Sequence, residues 1–240
     1  MSMLSDRRQQ VLSALIEEYI ARAMPIGSRT LTEHYDFGVS PATIRNELSA
    51  LEDGGYISQP HISAGRIPTD YGYRAFVDRL IETGVIEDTP NEAQSIADLR
   101  KNAQEIDDLM ARTNEALARF TDCLSIVTSP DLSHAHRVGM SSLMRKPEFM
   151  YTQSLLPLMQ VLEDDTILFQ LLDSSAEDDT PRVHIGSENE AEQLRGVSVV
   201  ASRYGFGEST GIVAVIGPTR MDYSKVLQAV RMAVKALAEE

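Results

Sequence analysis

Residues 40–46 carry the side chains of this chain that are best suited to recognising another molecule. The amide of Asn46 matches the hydrogen-bonding edge of adenine, and the guanidinium of Arg45 suits guanine or a phosphate. Just before them stand side chains that can touch the methyl group of thymine: Pro41, Ala42 and Thr43. This combination predicts contact with base edges in the major groove of DNA.

A helix has to present these side chains, and the surrounding residues predict one. Ser40 can cap its N-terminus, and Pro41 suits its first position because a missing N–H costs nothing there. An apolar stripe with spacings of four and three would face the core: Ile44, Leu48 and Leu51. Gly54 and Gly55 end the helix, so the polar side chains are left on its outer face.

The flanking segments place this helix second in a winged helix-turn-helix. A shorter helix capped by Ser28 precedes it, and Gly38 can adopt the positive φ of the turn between the two. Residues 56–58 and 66–68 predict the two strands of a wing, where Arg66 can reach a phosphate or the minor groove. A three-helix module that serves protein contacts remains the alternative.

Composition and charge set bounds on the partners. The 240 residues suit two domains, and the single cysteine excludes an internal disulfide, as in a reducing cytoplasm. No apolar run approaches the ~20 residues of a membrane span, and no nucleophile–base or Gly-rich phosphate motif points to an enzyme or a cofactor. The net charge is −14, but residues 1–80 hold eight arginines against ten acids, so the acidic excess lies elsewhere. We therefore expect modest non-specific DNA affinity and a strong dependence on salt.

The rest of the chain predicts an α+β architecture in two domains, residues 1–83 and 84–240. A helix capped by Ser5 precedes the helix-turn-helix, and a helix over 71–81 follows the wing. In the second domain, strands are predicted at 166–172, 182–186, 196–204 and 211–217, the last two forming an antiparallel hairpin. A final helix starts at Tyr223.

Residues 91–125 predict one long helix with apolar residues at alternating spacings of three and four. The stripe consists of Ile96, Leu99, Ala103, Ile106, Met110, Thr113, Leu117, Phe120 and Leu124. A dimerising coiled coil and a core-facing helix explain it equally well, since four heptads are near the minimum for a coiled coil.

Asp131, His134 and His136 lie close enough in sequence to ligate a metal. Two neighbouring histidines without clear further ligands are common, so a polar loop is favoured and no metal is predicted.

Eight blocks of the sequence form a recognisable set. One of them reads V-S-P-A-T-I-R-N-E at 39–47, and two lie far from the others in the second domain. The blocks cover residues 4–7, 25–29, 39–47, 51–57, 60–69, 72–74, 185–189 and 217–223. Together they resemble the heat-inducible transcription repressor (HrcA) family. The resemblance implies a cytoplasmic bacterial repressor of chaperone operons, nucleoid-associated when bound. It also implies a dimer with a winged-helix and a GAF-like domain, an inverted-repeat operator called CIRCE, and dependence on the GroEL chaperonin.

Pattern and resemblance together give the candidate DNA-binding residues as Ser28, Arg29, Ser40, Pro41, Ala42, Thr43, Arg45, Asn46, His61 and Arg66. The chain departs from the family in its middle, where residues 131–137 lead directly to 138–143 and an inserted dimerising domain is missing. The expected fold is therefore a winged helix-turn-helix plus a GAF-like α+β domain, truncated relative to the family. By default the dimer contact falls to Ile96, Leu99, Ile106, Met110, Leu117, Phe120 and Leu124.

Two other functions stay open. A ligand-gated regulator would need an apolar pocket lined from 167–171 and 213–216. A protein-interaction module would keep the winged helix without reading DNA.

Overall fold

The computed structural model describes residues 4–61, 64–84, 106–150, 152–178, 180–206 and 209–238. The chain divides into two compact units, Met1–Gly84 and Val85–Glu240. The first unit contains α1 (Asp6–Arg22), α2 (Ser28–His34), α3 (Pro41–Asp53), β1 (Ile57–Ser58), β2 (Ile67–Pro68) and α4 (Asp70–Thr83).

Three hydroxyl side chains begin the helices of this unit as their sequence positions predict. Ser5 caps α1, Ser40 caps α3 and Thr69 caps α4, each accepting a hydrogen bond from a backbone N–H three residues on. The prediction for Ser28 is wrong, since Gly27 is the N-cap of α2 and Ser28 is its first helical residue. Gly38 has a φ of +63°, so the turn before α3 takes the left-handed conformation that the sequence predicts.

The wing is held by close backbone contacts. β1 and β2 pair antiparallel, and Ile26 exchanges backbone hydrogen bonds of 2.9 and 2.8 Å with Arg66. A Cβ at Gly65 would lie 2.5 Å from the carbonyl carbon of Ile26, and one at Gly72 would lie 2.0 Å from the oxygen of Tyr56. Both positions therefore require glycine: the segment that follows α1 approaches the wing at Gly65, and α4 approaches the wing at Gly72.

In its described residues, the second unit contains four longer helices and one short one around a sheet. Its helices are α5 (Ile106–Thr121), α6 (Met140–Met144), α7 (Thr152–Glu163), α8 (Asp165–Ser175) and α9 (Tyr223–Ala238). Its strands are β3 (Leu124–Thr128), β4 (Ala135–Val138), β5 (Glu177–Asp178), β6 (Arg182–Ile185), β7 (Val197–Phe206) and β8 (Ser209–Pro218).

The sheet runs β4-β3-β8-β7-β5, with β6 also paired to β7. All pairs are antiparallel except β5 with β7. One face packs under α7 and α8 through Leu124, Val199 and Ile216, while α5 and α9 pack with β3 and β7. The predicted hairpin, now β7 and β8, and the predicted final helix are both present.

The prediction of one helix over 91–125 is wrong at its C-terminal end. Asp122 has a φ of +51°, which ends α5 at Thr121, and Leu124 begins β3. Met110, Leu117 and Leu124 are buried inside this unit, where α5 packs on β3 and α9. Ile106 is 53% exposed, and Phe120 is half-buried under the ammonium of Lys225. Apart from Ile106, the described part of the stripe thus packs into the unit; Ile96, Leu99 and Ala103 lie outside the described residues.

The strand predicted at 166–172 is also wrong, since these residues belong to helix α8. Asp164 caps this helix, accepting hydrogen bonds from the backbone N–H groups of Thr166 (2.9 Å) and Ile167 (3.2 Å). Leu168 and Leu172, one helical turn apart, are buried while Ile167 is exposed, so the apolar period is that of a helix. The other three predicted strands are present as β6, β7 and β8, and the described residues add β3, β4 and β5, which gives a sheet of six strands.

Candidate nucleic-acid interface

The first turn of α3 presents the predicted base-reading face to solvent. The Ser40 hydroxyl accepts from the Thr43 N–H at 3.2 Å and lies 3.0 Å from the Thr43 hydroxyl, which holds the start of the helix. The opposite stripe is fully buried, with Ile44 and Leu48 at 0% exposure. The exposed positions of this turn are Ser40, Pro41, Ala42, Arg45 and Asn46, with Thr43 half-buried beside them. This geometry places short side chains and two hydrogen-bonding side chains together at a helix N-terminus.

Arg45 differs from most arginines of its unit in the charge that it faces. Its Nε lies 3.4 Å from the Ser28 hydroxyl, a neutral partner. Arg79 likewise bonds the neutral side chain of Gln9. The other six arginines of residues 1–84 lie within 4.0 Å of a carboxylate: Arg7, Arg8, Arg22, Arg29, Arg66 and Arg74. Arg45 therefore keeps an uncompensated positive charge next to the exposed face of α3.

Ser28 and Arg29 begin α2 beside this face. The Ser28 hydroxyl is brought to Arg45, so the two predicted residues do meet. Arg29 pairs with Glu33 at 2.7 Å, but its side chain is 90% exposed. Solvent screens an ion pair this exposed and leaves it weak, so a phosphate can displace it.

The wing arginine, Arg66, is paired with a carboxylate in the structure. Arg66 donates from Nε to Glu52 at 3.0 Å, and only 20% of its side chain is exposed. The pair links the residue before β2 to α3, and the predicted contact of Arg66 with DNA stays a prediction. His61 is exposed at the start of the wing turn, which the Gln59 amide holds by donating to the Ala64 carbonyl at 2.8 Å. Ile62 and Ser63 lie outside the described residues.

The side chain of Glu47, one residue after Asn46 in α3, turns towards α1. Its carboxylate accepts from Arg8 at 2.9 Å and lies 4.0 Å from Arg7. The side chains of Arg7 and Arg8 are 50% and 44% exposed, respectively, so they add positive charge where α1 meets α3. The adjacent arginines at 7 and 8 were the only sequence signal for this contact.

A second polar cluster lies in the C-terminal unit, and its membership differs from the sequence grouping. Asp131 turns to Ser129 and Ser133, whose hydrogen bonds lower its pKa to about 2. The carboxylate that meets His134 and His136 is Asp107, in the first turn of α5. Since 27 and 29 residues separate Asp107 from the histidines, no local pattern pointed to it.

Two of the blocks that resemble the family, residues 185–189 and 217–223, lie in the second unit and make buried contacts there. The Asn189 amide, buried at 4% exposure, lies 2.9–3.0 Å from the carbonyl oxygens of Gly186, Leu194 and Val197. The Tyr223 hydroxyl lies 2.7 Å from Ser198 Oγ and donates to the Thr219 carbonyl at 2.6 Å. These blocks therefore supply buried hydrogen bonds.

The segments predicted to line a ligand pocket instead pack against one another. Leu168 of α8 and Ala214 and Ile216 of β8 belong to one hydrophobic cluster. This packing favours a core over a ligand-binding surface. Among the described residues, none of the helices is both long enough and apolar enough to span a bilayer.

Comparisons with known proteins agree on one family. Residues 95–227 match the family model described as HrcA protein C terminal domain. A protein of Frankia casuarinae named heat-inducible transcription repressor HrcA is 30% identical over 337 aligned positions, which cover 99% of this chain and 98% of that protein. A protein of the same name from Streptomyces avermitilis is 30% identical, with the same coverage. One from Kineococcus radiotolerans is 31% identical, with 95% and 96% covered.

The fold also has a close counterpart among solved structures. The crystal structure of a hypothetical protein matches with a TM-score of 0.83 over 98% of both chains. Its sequence is 19% identical, so the match concerns the fold alone.

Proposed function

The chain belongs to the HrcA family, and from this membership we propose that it is a heat-inducible transcription repressor that binds operator DNA through α3 of a winged-helix domain. The observation that carries the proposal is the exposed first turn of α3, where Arg45 and Asn46 stand beside short side chains. Arg45 has no carboxylate partner among the contacts of the described residues, so its charge is available to guanine or phosphate.

The proposed operator is an inverted repeat of the CIRCE type, bound by two copies of the chain in the bacterial cytoplasm. A recognition helix reads one half-site, so a two-fold symmetric operator matches a two-fold symmetric dimer. Met110, Leu117 and Leu124 are committed to the core, so we assign the dimer contact to other surfaces. Within the described part of the apolar stripe, Ile106 is the one residue that is more than half exposed.

We further propose that this chain is a shortened member of its family. The alignment with the Frankia relative has 337 positions whereas the chain has 240 residues, so at least 97 positions have no counterpart here. The short passage from β3 through β4 to α6 is where the sequence places the missing block. GroEL dependence, implied by the family resemblance, belongs to the same proposal.

The test is fluorescence anisotropy of the full chain with a CIRCE-type inverted repeat and a scrambled duplex, over a salt series. We expect sequence-dependent binding at two chains per repeat, strengthened by GroEL. Equal and weak binding to both duplexes, with and without the chaperonin, would refute the repressor function. Binding of one chain per repeat would leave DNA reading intact and refute the dimer.

A further inference from the structure

Three side chains in the second unit converge on a single point. Asp107 Oδ1 lies 2.9 Å from His136 Nε2 and 3.1 Å from His134 Nε2. All three candidate ligand atoms lie within 4.8 Å of one another. The histidines are two residues apart at the start of β4, so their side chains point to the same side of the sheet, towards α5.

The hydrogen bonds behind His134 assign its tautomer. The Ser133 hydroxyl lies 2.8 Å from Asp131 Oδ1, a carboxylate that can only accept, so Ser133 donates to it. The same hydroxyl oxygen lies 3.1 Å from His134 Nδ1 and is left to accept the Nδ1 proton. A neutral His134 therefore turns an unprotonated Nε2 towards the carboxylate of Asp107.

This arrangement brings two acceptors together without a donor. An imidazole lone pair and a carboxylate oxygen at 3.1 Å repel one another unless a cation lies between them. A serine and an aspartate behind a ring nitrogen are also the kind of outer partner that orients histidine ligands of metals.

The three side chains stand on fixed elements. β4 pairs with β3 over four residues, and the buried Asn114 of α5 donates to the His136 carbonyl at 2.7 Å. Asp107 is on the same helix as Asn114, so that hydrogen bond sets the distance between the carboxylate and the strand. Such support keeps ligand positions defined before a metal binds.

We propose that Asp107, His134 and His136 bind a divalent first-row transition-metal cation such as Zn²⁺. Two imidazoles and one carboxylate form a known protein ligand set for these ions, with water completing the coordination. Tetrahedral ligands at about 2.0–2.2 Å from the metal lie about 3.3–3.6 Å apart, so small side-chain adjustments bring these atoms into place. The bound ion would link α5 to β4, and the site does not depend on the proposed DNA binding.

The test uses the untagged full-length chain, stripped with a chelator and titrated with Co²⁺ while visible absorption is recorded. Zn²⁺ is then added as a competitor. We expect one ion per chain, displaced by Zn²⁺, and a higher melting temperature with metal bound. His136→Ala and Asp107→Asn should abolish the Co²⁺ spectrum, and Ser133→Ala should weaken the affinity by about 10–100-fold.

His61→Ala is the matched control, because it removes an exposed histidine from the other unit. It should bind Co²⁺ like the unchanged chain, and circular dichroism should show every variant to be folded. If the unchanged chain binds no Co²⁺ or Zn²⁺ at micromolar concentration, a proton is the cation between these groups and the metal site is refuted. Equal metal affinity of folded His136→Ala and the unchanged chain would refute it too.

Discussion

The guanidinium of Arg45 faces a hydroxyl in a unit where six other arginines face carboxylates. A paired arginine would have to give up its carboxylate to bind DNA, whereas Arg45 has only a 3.4 Å contact to lose. Binding energy at this surface should therefore be concentrated in a few residues.

Arg45→Ala should lose about 1–3 kcal/mol of operator binding and relax specificity at one base position. Anisotropy with the operator and single-base variants measures both effects. Arg112→Ala is the control, since it removes an exposed arginine of the second unit that pairs with Asp108. If both variants bind the operator equally well, Arg45 does not read DNA.

Cys123, the single cysteine, has a burial-raised pKa of about 11. At pH 8 only about one thiol in a thousand is then ionised, and the thiolate is the reactive form. Iodoacetamide should modify the folded chain far more slowly than the chain in urea, as followed by mass spectrometry. Equal rates in the two conditions would contradict the buried position between α5 and β3.

Elements whose ends and buried faces are marked by neighbouring residues were predicted from the sequence. Elements that depend on partners far away in the chain were not. α3 carries its own cap, N1 proline and apolar stripe, so its bounds and exposed face followed from residues 40–55. β3 carries no such signal, because all five of its residues are buried and its first residue continues the apolar spacing of α5. The partner of Arg66 was missed for the same reason, since Glu52 lies on another element.

Because α8 is a helix, substitutions at two adjacent residues should change the free energy of unfolding by very different amounts. Leu168→Ala should lower the free energy of unfolding by about 2–5 kcal/mol because Leu168 is 1% exposed in the core. Ile167→Ala should cost about 0.5 kcal/mol or less, since Ile167 is 43% exposed. Urea denaturation of the two variants measures the difference. Similar losses at both positions would argue against the helix.

The contact between α4 and the wing predicts that Gly72→Ala destabilises the first unit by about 1–3 kcal/mol. The added Cβ would lie 2.0 Å from the Tyr56 carbonyl oxygen, so the backbone has to shift. Gly196→Ala is the control, because a Cβ there meets nothing within 4 Å. Thermal melting and operator affinity should both fall for the first variant only. Unchanged melting of Gly72→Ala would show that α4 and the wing are not in contact.

For the whole molecule, the net charge of −14 opposes accumulation on DNA, whereas the proposed recognition face of α3 would favour the operator. Binding to the scrambled duplex should depend on phosphate contacts alone and fall steeply between about 50 and 200 mM salt. Operator binding should persist at salt concentrations where the scrambled duplex is no longer bound. Anisotropy titrations of both duplexes measure how each affinity falls as the salt concentration rises. An equal fall for both duplexes would mean that base contacts contribute nothing.

For the proposed repressor, the carboxylates that neutralise six arginines of the first unit would also affect how the protein searches a chromosome. A bacterial genome offers on the order of 10⁶ or more competing sites, and a uniformly basic reader would be sequestered by them. Neutralisation of arginines within the unit would shorten the time that the protein stays bound to non-specific DNA, so more protein molecules would remain free in solution. A small number of copies per cell can then keep a few operators occupied.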